Sequence, residues 1–297
     1  MSVSVSLMCP NDSKIIVGDA LFELKRLPDN CFQACITSPP YWGLRDYGVE
    51  DQIGAEHNLA DYIDHLTSVF SEVRRTLRPD GTLWLNIGDA YTSGNRTWRG
   101  RDRKNPARAM RYRPPTPEGL KAKDLIGIPW RVAFALQQDG WYLRSDIIWH
   151  KPNAQPESVK DRPTQAHEYL FLLSKSEKYY YDYKAVREPT EDLRSFRNAR
   201  SLWSIRTEPN GIPHFAVFPT DLVKRCLMGG SKPKDLVLDP FLGSGTVAAV
   251  CKAMDRRFVG IEIKHEYAVL AHERVLPRLS AGGELESSSP ELPHVRA

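Results

Sequence analysis

Short apolar runs alternate with amphipathic segments along most of the chain. Most of the short runs are apolar at nearly every position, which is typical of parallel strands covered on both faces. They predict strands at 13–19, 31–37, 82–87, 144–150, 167–174, 235–239 and 257–263. Helices are predicted at 57–78, 124–139, 220–228, 246–254 and 265–276. This alternation predicts an α/β fold with a doubly wound, mostly parallel sheet.

Three segments depart from this alternation. Residues 91–123 form a basic loop that contains prolines, and residues 184–212 are polar and turn-rich, with five arginines. Residues 278–297 are polar and rich in Ser, Gly, Pro and Glu. We expect this tail to be disordered, because it has too few apolar residues to bury.

Length and composition are those of a globular protein that can bury a substantial core. The chain has 297 residues, of which 41% are hydrophobic and 26% are charged. It has neither a long apolar run nor a basic start followed by an apolar core, so we expect no membrane span, no secretory signal and a cytoplasmic location. The five cysteines form no Cys-x-x-Cys pair. We therefore expect reduced thiols and no metal site.

The positive charge is concentrated in one part of the chain. Residues 94–123 contain ten Lys and Arg against two acidic residues, whereas the whole chain carries a net charge of only +4. A basic segment on an acidic remainder suggests a polyanionic partner. Trp98 and Tyr112 lie among the arginines, which favours contact with nucleic acid. The candidate DNA-contacting residues here are Arg96, Arg99, Arg101 and Arg103.

Residues 235–246, DLVLDPFLGSGT, place a glycine-rich turn between a predicted strand and a predicted helix. Glycines let the backbone approach a ligand, and a helix N-terminus offers free N–H groups. Glu262 ends the next predicted strand, 17 residues after Gly245. An acid in that position typically accepts hydrogen bonds from ribose hydroxyls. The combination indicates an adenosine-containing ligand.

The details of this turn disfavour a ligand that carries phosphate. The turn reads Gly-Ser-Gly-Thr-Val-Ala and has neither the third glycine of the dinucleotide fingerprint nor the lysine of a P-loop. A nicotinamide-dependent oxidoreductase is therefore disfavoured. S-adenosylmethionine (AdoMet) fits, because its cationic sulfonium and amino groups suit carboxylate and carbonyl acceptors.

A second motif, Thr-Ser-Pro-Pro-Tyr-Trp at 37–42, directly follows an apolar run. Prolines have carbonyls but no N–H, so Ser38, Pro39, Pro40 and Tyr41 offer mainly hydrogen-bond acceptors. Acceptors suit an exocyclic NH2 group, and Tyr41 would stack on a base that has been flipped out of the duplex. The alternative interpretation is a rigid turn with the aromatic residues in the core. The glycine-rich turn elsewhere in the chain favours the catalytic interpretation.

The two motifs together resemble those of the DNA amino-methyltransferases, which methylate cytosine N4 or adenine N6. Ser-Pro-Pro-Tyr lies at 38–41 and Asp-Pro-Phe-x-Gly-x-Gly-Thr at 239–246. This order, catalytic motif first, resembles the β-class arrangement of restriction–modification systems and phages. The resemblance implies a circularly permuted, Rossmann-like methyltransferase fold. Its implied parts are a catalytic half at 13–183, a small inserted target-recognition region at 184–212 and an AdoMet-binding half at 213–277.

The resemblance also implies roles for individual residues. The glycine-rich turn would hold the methionine part of AdoMet, Glu262 its ribose, and Asp19 its adenine amino group. A segment at 214–219 would contribute as well. The implied cofactor-binding residues are Asp19, His214, Phe215, Pro219, Asp239, Pro240, Phe241, Gly243, Ser244, Gly245, Thr246 and Glu262.

Target recognition is expected in the polar segment 184–212, with the basic loop at 91–123 as a further candidate. Residues 86–89, 149–153 and 167–169 resemble family segments near the target base. Arg194, Arg197, Arg200 and Arg206 would contact DNA bases or phosphates. Family usage of Ser at position 38 favours cytosine, so we expect a site-specific enzyme that forms N4-methylcytosine in double-stranded DNA. A cognate restriction endonuclease is a candidate functional partner.

Three other interpretations stay open. One is methylation of adenine N6, since family usage of Ser38 has exceptions. The second is an RNA or protein-glutamine methyltransferase, although those enzymes usually place the cofactor motif before the catalytic motif. The third is a catalytically silent DNA-binding module, which would not need two intact motifs.

Overall fold

The computed structural model describes residues 8–44, 46, 48–49, 52–92, 114–192, 194–208 and 219–275. The strands are β1 (Lys14–Val17), β2 (Phe32–Thr37), β3 (Leu77–Ile87), β4 (Tyr142–His150), β5 (His167–Ser174), β6 (Glu188–Pro189), β7 (Phe196–Arg197), β8 (Leu202–Ser204), β9 (Leu236–Asp239) and β10 (Arg257–Glu262). The helices are α1 (Ala20–Lys25), α2 (Leu59–Thr76), α3 (Ile128–Gln138), α4 (Thr220–Gly230), α5 (Thr246–Ala253) and α6 (His265–Val275).

Within the described residues, the main sheet has the strand order β1-β10-β9-β2-β3-β5-β4-β8. Strand β5 is antiparallel to both of its neighbours, and the other neighbouring pairs are parallel. The sheet is thus mostly parallel, as predicted. The carboxyl ends of the parallel strands and the amino end of β5 meet at one edge, called the carboxyl edge below.

Alternate side chains of the strands pack into two separate apolar layers, because successive residues of a strand point to opposite faces. In β9, Leu236 and Leu238 join the layer formed with α1, α2 and α3, whereas Val237 joins the layer formed with α4, α5 and α6. In β3, Leu85 joins the first of these layers and Trp84 joins the second. Both faces of the sheet are therefore covered by helices, which confirms the predicted fold class.

Helix α2 shows how the sequence determines local structure. The side chain of Asn58 accepts a hydrogen bond of 2.8 Å from the backbone N–H of Asp61 and caps the helix start. Apolar residues at three- and four-residue spacing form its buried face. The helix ends at Thr76 and the chain enters β3 at once, so residues 78–81 begin a strand rather than form a separate turn. The pairing of β3 with β2 shifts register at this point.

The predicted strands and helices are all present with shifted ends, but four short elements among the described residues are additional. These are α1, which has six residues, β6 and β7, which have two each, and β8, which has three. The expectation of reduced thiols is wrong for Cys9 and Cys31, which form a disulfide. The N-terminal segment runs past the start of β2 and brings their Cα atoms to 5.4 Å. No helix of the described residues has the length and apolar character needed to cross a bilayer.

Strand β8 lies within the predicted recognition segment 184–212 and belongs to the main sheet. It pairs in parallel with β4 at the sheet edge. Trp203 in this strand is only 2% exposed, and its ring lies 6.3 Å from that of Trp84. Part of this segment therefore contributes to the core, in addition to any role in recognition.

We predict that Trp203→Ala lowers the free energy of unfolding by about 3–5 kcal/mol, because it empties a fully buried aromatic site. The matched control is Leu202→Ala, since Leu202 is 60% exposed in the same strand. Its effect should stay within about 0.5 kcal/mol. Urea unfolding followed by fluorescence measures both values. Similar small changes in the two variants would contradict the assignment of β8 to the core.

Candidate active site

The two motifs lie side by side at the carboxyl edge of the sheet. Strand β2 leads into the proline lip, defined as Ser38, Pro39, Pro40 and Tyr41, and pairs directly with β9, which ends in Asp239. The hydroxyl of Thr37 donates a 2.7 Å hydrogen bond to Asp239 Oδ1. After β2 the chain returns to the sheet at β3, next to β2, and after β9 it returns at β10, next to β9, so the two connections lead in opposite directions along the sheet. Such a point is where open α/β sheets bind ligands.

A cavity of about 140 Å³ lies between the motifs. The entire proline lip lines it, together with the predicted cofactor-binding residues Asp19, Asp239, Pro240, Phe241, Gly243, Ser244, Thr246 and Glu262. Gly245 and Pro219 are not in its lining, and His214 and Phe215 lie outside the described residues. The described lining contains three carboxylates and no Lys, Arg or His. This charge pattern suits a cationic ligand and disfavours a phosphate.

The glycine turn, defined as residues 239–246, requires glycine at its end. Gly245 has φ +81° and precedes the first residue of α5. A Cβ atom at Gly245 would lie 2.8 Å from the Cβ of Ala271, so α5 and α6 can approach only because this atom is missing. Gly243 also has a positive φ, +54°. The turn thus brings backbone N–H groups to the cavity at the start of a helix.

Glu262 ends β10 and is held by backbone donors. Its Oε2 accepts from the N–H of Gly243 and its Oε1 from the N–H of Lys264, each at 2.8 Å. Burial raises the pKa of this carboxyl group above its usual range, and the backbone bonds oppose the shift. Because each carboxylate oxygen can accept more than one hydrogen bond, the group keeps acceptor capacity toward the cavity.

Asp239 is a buried carboxyl group with a strongly shifted pKa. Burial raises its pKa to about 7, and the nearby Glu262 adds to the shift, whereas hydrogen bonds from Thr37 and from the N–H of Phe241 oppose it. Both donors bind the same oxygen, Oδ1, at 2.7 and 3.1 Å. A cation in the cavity would favour the ionised form of this group.

Asp19 reaches the same cavity from β1. The N–H of Gly18 donates to the carbonyl of Glu262 at 3.0 Å, which joins the ends of β1 and β10. The Asp19 side chain accepts from the N–H of Phe22 at 2.8 Å and caps α1. A short helix with a cap at this strand end therefore fixes the carboxylate beside the cavity.

The proline lip is less open than its sequence suggests. The hydroxyl of Tyr62 in α2 donates a 2.8 Å hydrogen bond to the carbonyl of Pro40. The hydroxyl of Ser38 accepts a weaker bond of 3.4 Å from the side-chain amide of Asn86. The carbonyl of Tyr41 accepts from the N–H of Leu44 at 3.3 Å, so two lip carbonyls are engaged within the protein. The Ser38 hydroxyl and the remaining carbonyls are the acceptors left for a substrate.

Tyr41 lines both this cavity and a second one of about 570 Å³. The second cavity is lined by Trp42, by the strand end Gly88–Asp89 and by prolines from 114 onward, among other residues. The hydroxyl of Tyr41 donates to Glu168 Oε2 at 2.8 Å. Burial, followed by the negative charge of Glu168, raises the pKa of Tyr41 well above its usual value. Tyr41 is therefore a neutral phenol.

The sequence motifs did not identify Glu168 and Asn86 as partners of Tyr41. Asn86 lies near the end of β3 and Glu168 near the start of the antiparallel strand β5, so both reach the carboxyl edge. A polar residue at the end of an otherwise apolar strand was the available signal. The sequence could not show that two such strand ends converge on one phenol.

The predicted DNA-contacting arginines are in different situations. Arg96, Arg99, Arg101 and Arg103 lie outside the described residues. Arg197 and Arg200 both form ion pairs with Glu188, at 3.1 and 2.8 Å, and Arg194 is exposed. Arg206 is also exposed, and it follows β8 at the carboxyl edge.

Comparison with known proteins agrees with this geometry. Residues 32–273 match the family N6_N4_Mtase, described as DNA methylase. The type II methyltransferase M.SmaI of Serratia marcescens is 62% identical over 266 residues, which cover 89% of this chain and 91% of that protein. M.Cfr9I of Citrobacter freundii is 60% identical over 265 residues, covering 89% and 88%.

Solved structures share the fold. The PvuII DNA methyltransferase (cytosine-N4-specific) matches with a TM-score of 0.68 and 22% identity, covering 91% of this chain and 88% of that one. TTHA0409 of Thermus thermophilus, solved in complex with S-adenosyl-L-methionine, matches with a TM-score of 0.61 and 27% identity, covering 89% and 93%. The chain belongs to the DNA methylase family. It has the AdoMet-methyltransferase fold. Its two family motifs, the proline lip and the glycine turn, line one cavity.

The raised pKa of Asp239 predicts a pH-dependent stability. In the folded protein this group stays protonated up to about pH 7, but in the unfolded chain it ionises near pH 4. The folded state then binds more protons between these values, so its free energy of unfolding falls as the pH rises from about 4 to 7. The loss attributable to this group is roughly 4 kcal/mol at most.

The control for this prediction is Asp239→Asn, whose amide oxygen can keep both hydrogen bonds. Urea unfolding at pH 5 and pH 8 measures the difference in the free energy of unfolding for each protein. This difference should be smaller in the variant by up to about 3 kcal/mol. Equal pH dependence in the two proteins would contradict the raised pKa.

Proposed function

We propose that this protein is a type II DNA methyltransferase that transfers a methyl group from AdoMet to the exocyclic N4 of cytosine in double-stranded DNA. The observation that carries the proposal is the single cavity shared by the proline lip and the glycine turn, joined by the Thr37–Asp239 hydrogen bond. Family membership supports DNA as the substrate. A cognate restriction endonuclease as functional partner is part of the proposal, supported by the type II class of the similar methyltransferases.

The cavity fits AdoMet better than a phosphate-bearing cofactor. Its carboxylates, Asp19, Asp239 and Glu262, match the cationic sulfonium, the amino group and the hydroxyl and amine donors of this ligand. Glu262 would accept from the ribose hydroxyls, and the glycine turn would hold the methionine part. Because a bound cation favours ionised Asp239, we expect binding to lower the pKa of this residue.

The lip would then orient the target amine. Bound AdoMet supplies an electrophilic methyl group. The Ser38 hydroxyl and a lip carbonyl would accept the two hydrogens of the amine and leave its lone pair directed at that methyl group. The nitrogen would form a bond to the methyl carbon as the carbon–sulfur bond breaks, and the sulfur would leave as the thioether S-adenosylhomocysteine. A neutral Ser38 is a poor proton acceptor, so the cationic nitrogen would lose its proton to solvent water after transfer.

The target base would reach the lip only after it has been flipped out of the duplex. Tyr41 separates the two cavities and offers its ring for stacking, and the larger cavity gives room on its other side. Exposed Arg206 at the carboxyl edge supports DNA contact there. Arg197 and Arg200 are engaged with Glu188, so a contact to DNA would have to compete with that ion pair.

Adenine N6 is the second candidate target. Ser38 favours cytosine within the family, and the serine hydroxyl gives no charge that would distinguish the two amines by itself. An RNA or protein-glutamine substrate is disfavoured, because the chain belongs to the DNA methylase family and places its catalytic motif first.

The direct test is to incubate the protein with unmethylated duplex DNA and tritiated AdoMet, digest the DNA and resolve the nucleosides by mass spectrometry. We expect N4-methylcytosine. If only N6-methyladenine forms, the amino-methyltransferase proposal holds and the choice of base fails. If neither forms, the proposed function fails.

We predict that Ser38→Ala lowers kcat by about 100-fold or more, because it removes a hydrogen-bond acceptor from the reacting amine. AdoMet affinity should change by less than about threefold, since the glycine turn and Glu262 are untouched. Ser68→Ala, on the exposed face of α2, is the matched control. Equilibrium binding and single-turnover kinetics separate the two effects, and a selective loss of AdoMet affinity would contradict the role of Ser38.

A further inference from the structure

The carboxylate of Glu168 collects three donors beside the proline lip. Its Oε2 accepts from the Tyr41 hydroxyl and from the Asn86 side-chain amide, each at 2.8 Å. Its Oε1 forms an ion pair with Lys151, which lies at the end of β4. The side chains of Lys151 and Glu168 are 19% and 16% exposed, so the pair is largely shielded from solvent.

The phenol of Tyr41 is held in both of its hydrogen-bonding roles. It donates to Glu168 and accepts from Asn86 Nδ2 at 3.1 Å. A carboxylate cannot donate, so the NH2 group of Asn86 must face Glu168, and this fixes the orientation of the amide. The hydroxyl of Tyr41 therefore has one defined position.

Close packing restrains the ring as well as the hydroxyl. A Cβ atom at Gly88 would lie 2.8 Å from Cε2 of Tyr41 and 3.4 Å from Cδ of Glu168. The ring and the carboxylate thus pack directly against the backbone at the end of β3. Nothing larger than glycine fits there unless the ring moves.

We propose that Glu168 is a positioning residue that fixes where the Tyr41 ring lies and thereby the surface on which the flipped target base stacks. This inference rests on the proposed function. Lys151 balances the charge of Glu168, and its ammonium group also lies 4.4 Å from the ring centre of Trp149. Lys151, which directly follows β4, is thus connected through Glu168 to Tyr41 of the proline lip.

The chemistry of the site explains why a carboxylate is present. Its two oxygens can accept from Tyr41, Asn86 and Lys151 at the same time. A glutamine has only one acceptor oxygen, so its NH2 group would face either the Lys151 ammonium or the two donors on the other side. Glu168→Gln keeps the shape of the side chain but must break part of this arrangement.

The test is a double-mutant cycle with Glu168→Gln, Tyr41→Phe and the double variant, assayed on unmethylated duplex DNA with AdoMet. Tyr41→Phe keeps the stacking ring and removes its hydroxyl. We expect Glu168→Gln to lower kcat by roughly 10- to 100-fold through misplacement of the ring. AdoMet affinity should stay within about twofold. Glu177→Gln, an exposed change on the loop after β5, is the control.

The cycle distinguishes positioning from a structural role. If Glu168 acts through Tyr41, the double variant should be no slower than the slower single variant by more than about threefold. Independent, multiplicative losses of kcat would overturn the inference, as would a Glu168→Gln protein with unchanged kcat. If the wild-type protein does not methylate DNA at all, the proposed function fails instead.

A second variant keeps the inference testable if Glu168→Gln does not fold. Gly88→Ala removes no hydrogen-bonding group, but its Cβ would lie 2.8 Å from the Tyr41 ring and 3.4 Å from Glu168, so the ring must move. We expect it to lower kcat by a similar factor while AdoMet affinity is retained. Full activity of Gly88→Ala would overturn the claim that the position of the Tyr41 ring limits turnover.

Discussion

The hydrogen bond between Thr37 and Asp239 joins the ends of two neighbouring parallel strands, and the rest of the site depends on this pairing. The two residues are 202 positions apart in the chain. Because β2 pairs with β9, the proline lip and the glycine turn open onto the same cavity. After β2 the chain continues to β3, and after β9 it continues to β10 on the opposite side of this pair. The diverging connections leave a crevice between the two strand ends.

Two sets of contacts support the two halves of this crevice. On one side, Glu262 and the missing Cβ of Gly245 hold the glycine turn against α5 and α6. On the other, Tyr62 holds the carbonyl of Pro40, and Glu168 holds the phenol of Tyr41. The first half is acidic and suits a cationic methyl donor. The second half is aromatic with free acceptors, which suits a flat base that carries an amine.

The fold could be predicted from the sequence wherever a segment was long and its apolar pattern clear. Helix α1 and strands β6, β7 and β8 escaped prediction because elements of two to six residues carry too little pattern. The disulfide between Cys9 and Cys31 also escaped, because it depends on how the N-terminal segment passes β2.

Some residues of the candidate site could be predicted from the sequence and others could not. Those within the two motifs could be named because their chemistry and spacing are local. The partners of Tyr41 could not, because Asn86 and Glu168 meet it only through the register of β3 with the antiparallel strand β5. The raised pKa of Asp239 likewise comes from burial in the folded protein, and no local sequence feature reveals it.

We propose that the protein methylates an exocyclic amine in DNA at this cavity. The most direct measurement is to map modified bases in the genomic DNA of cells that express either the wild-type protein or the Ser38→Ala variant. We expect N4-methylcytosine at one short sequence throughout the genome of cells with the wild-type protein, and none in cells with the Ser38→Ala variant. A genome without a methylated sequence in cells that contain the folded wild-type protein would contradict it.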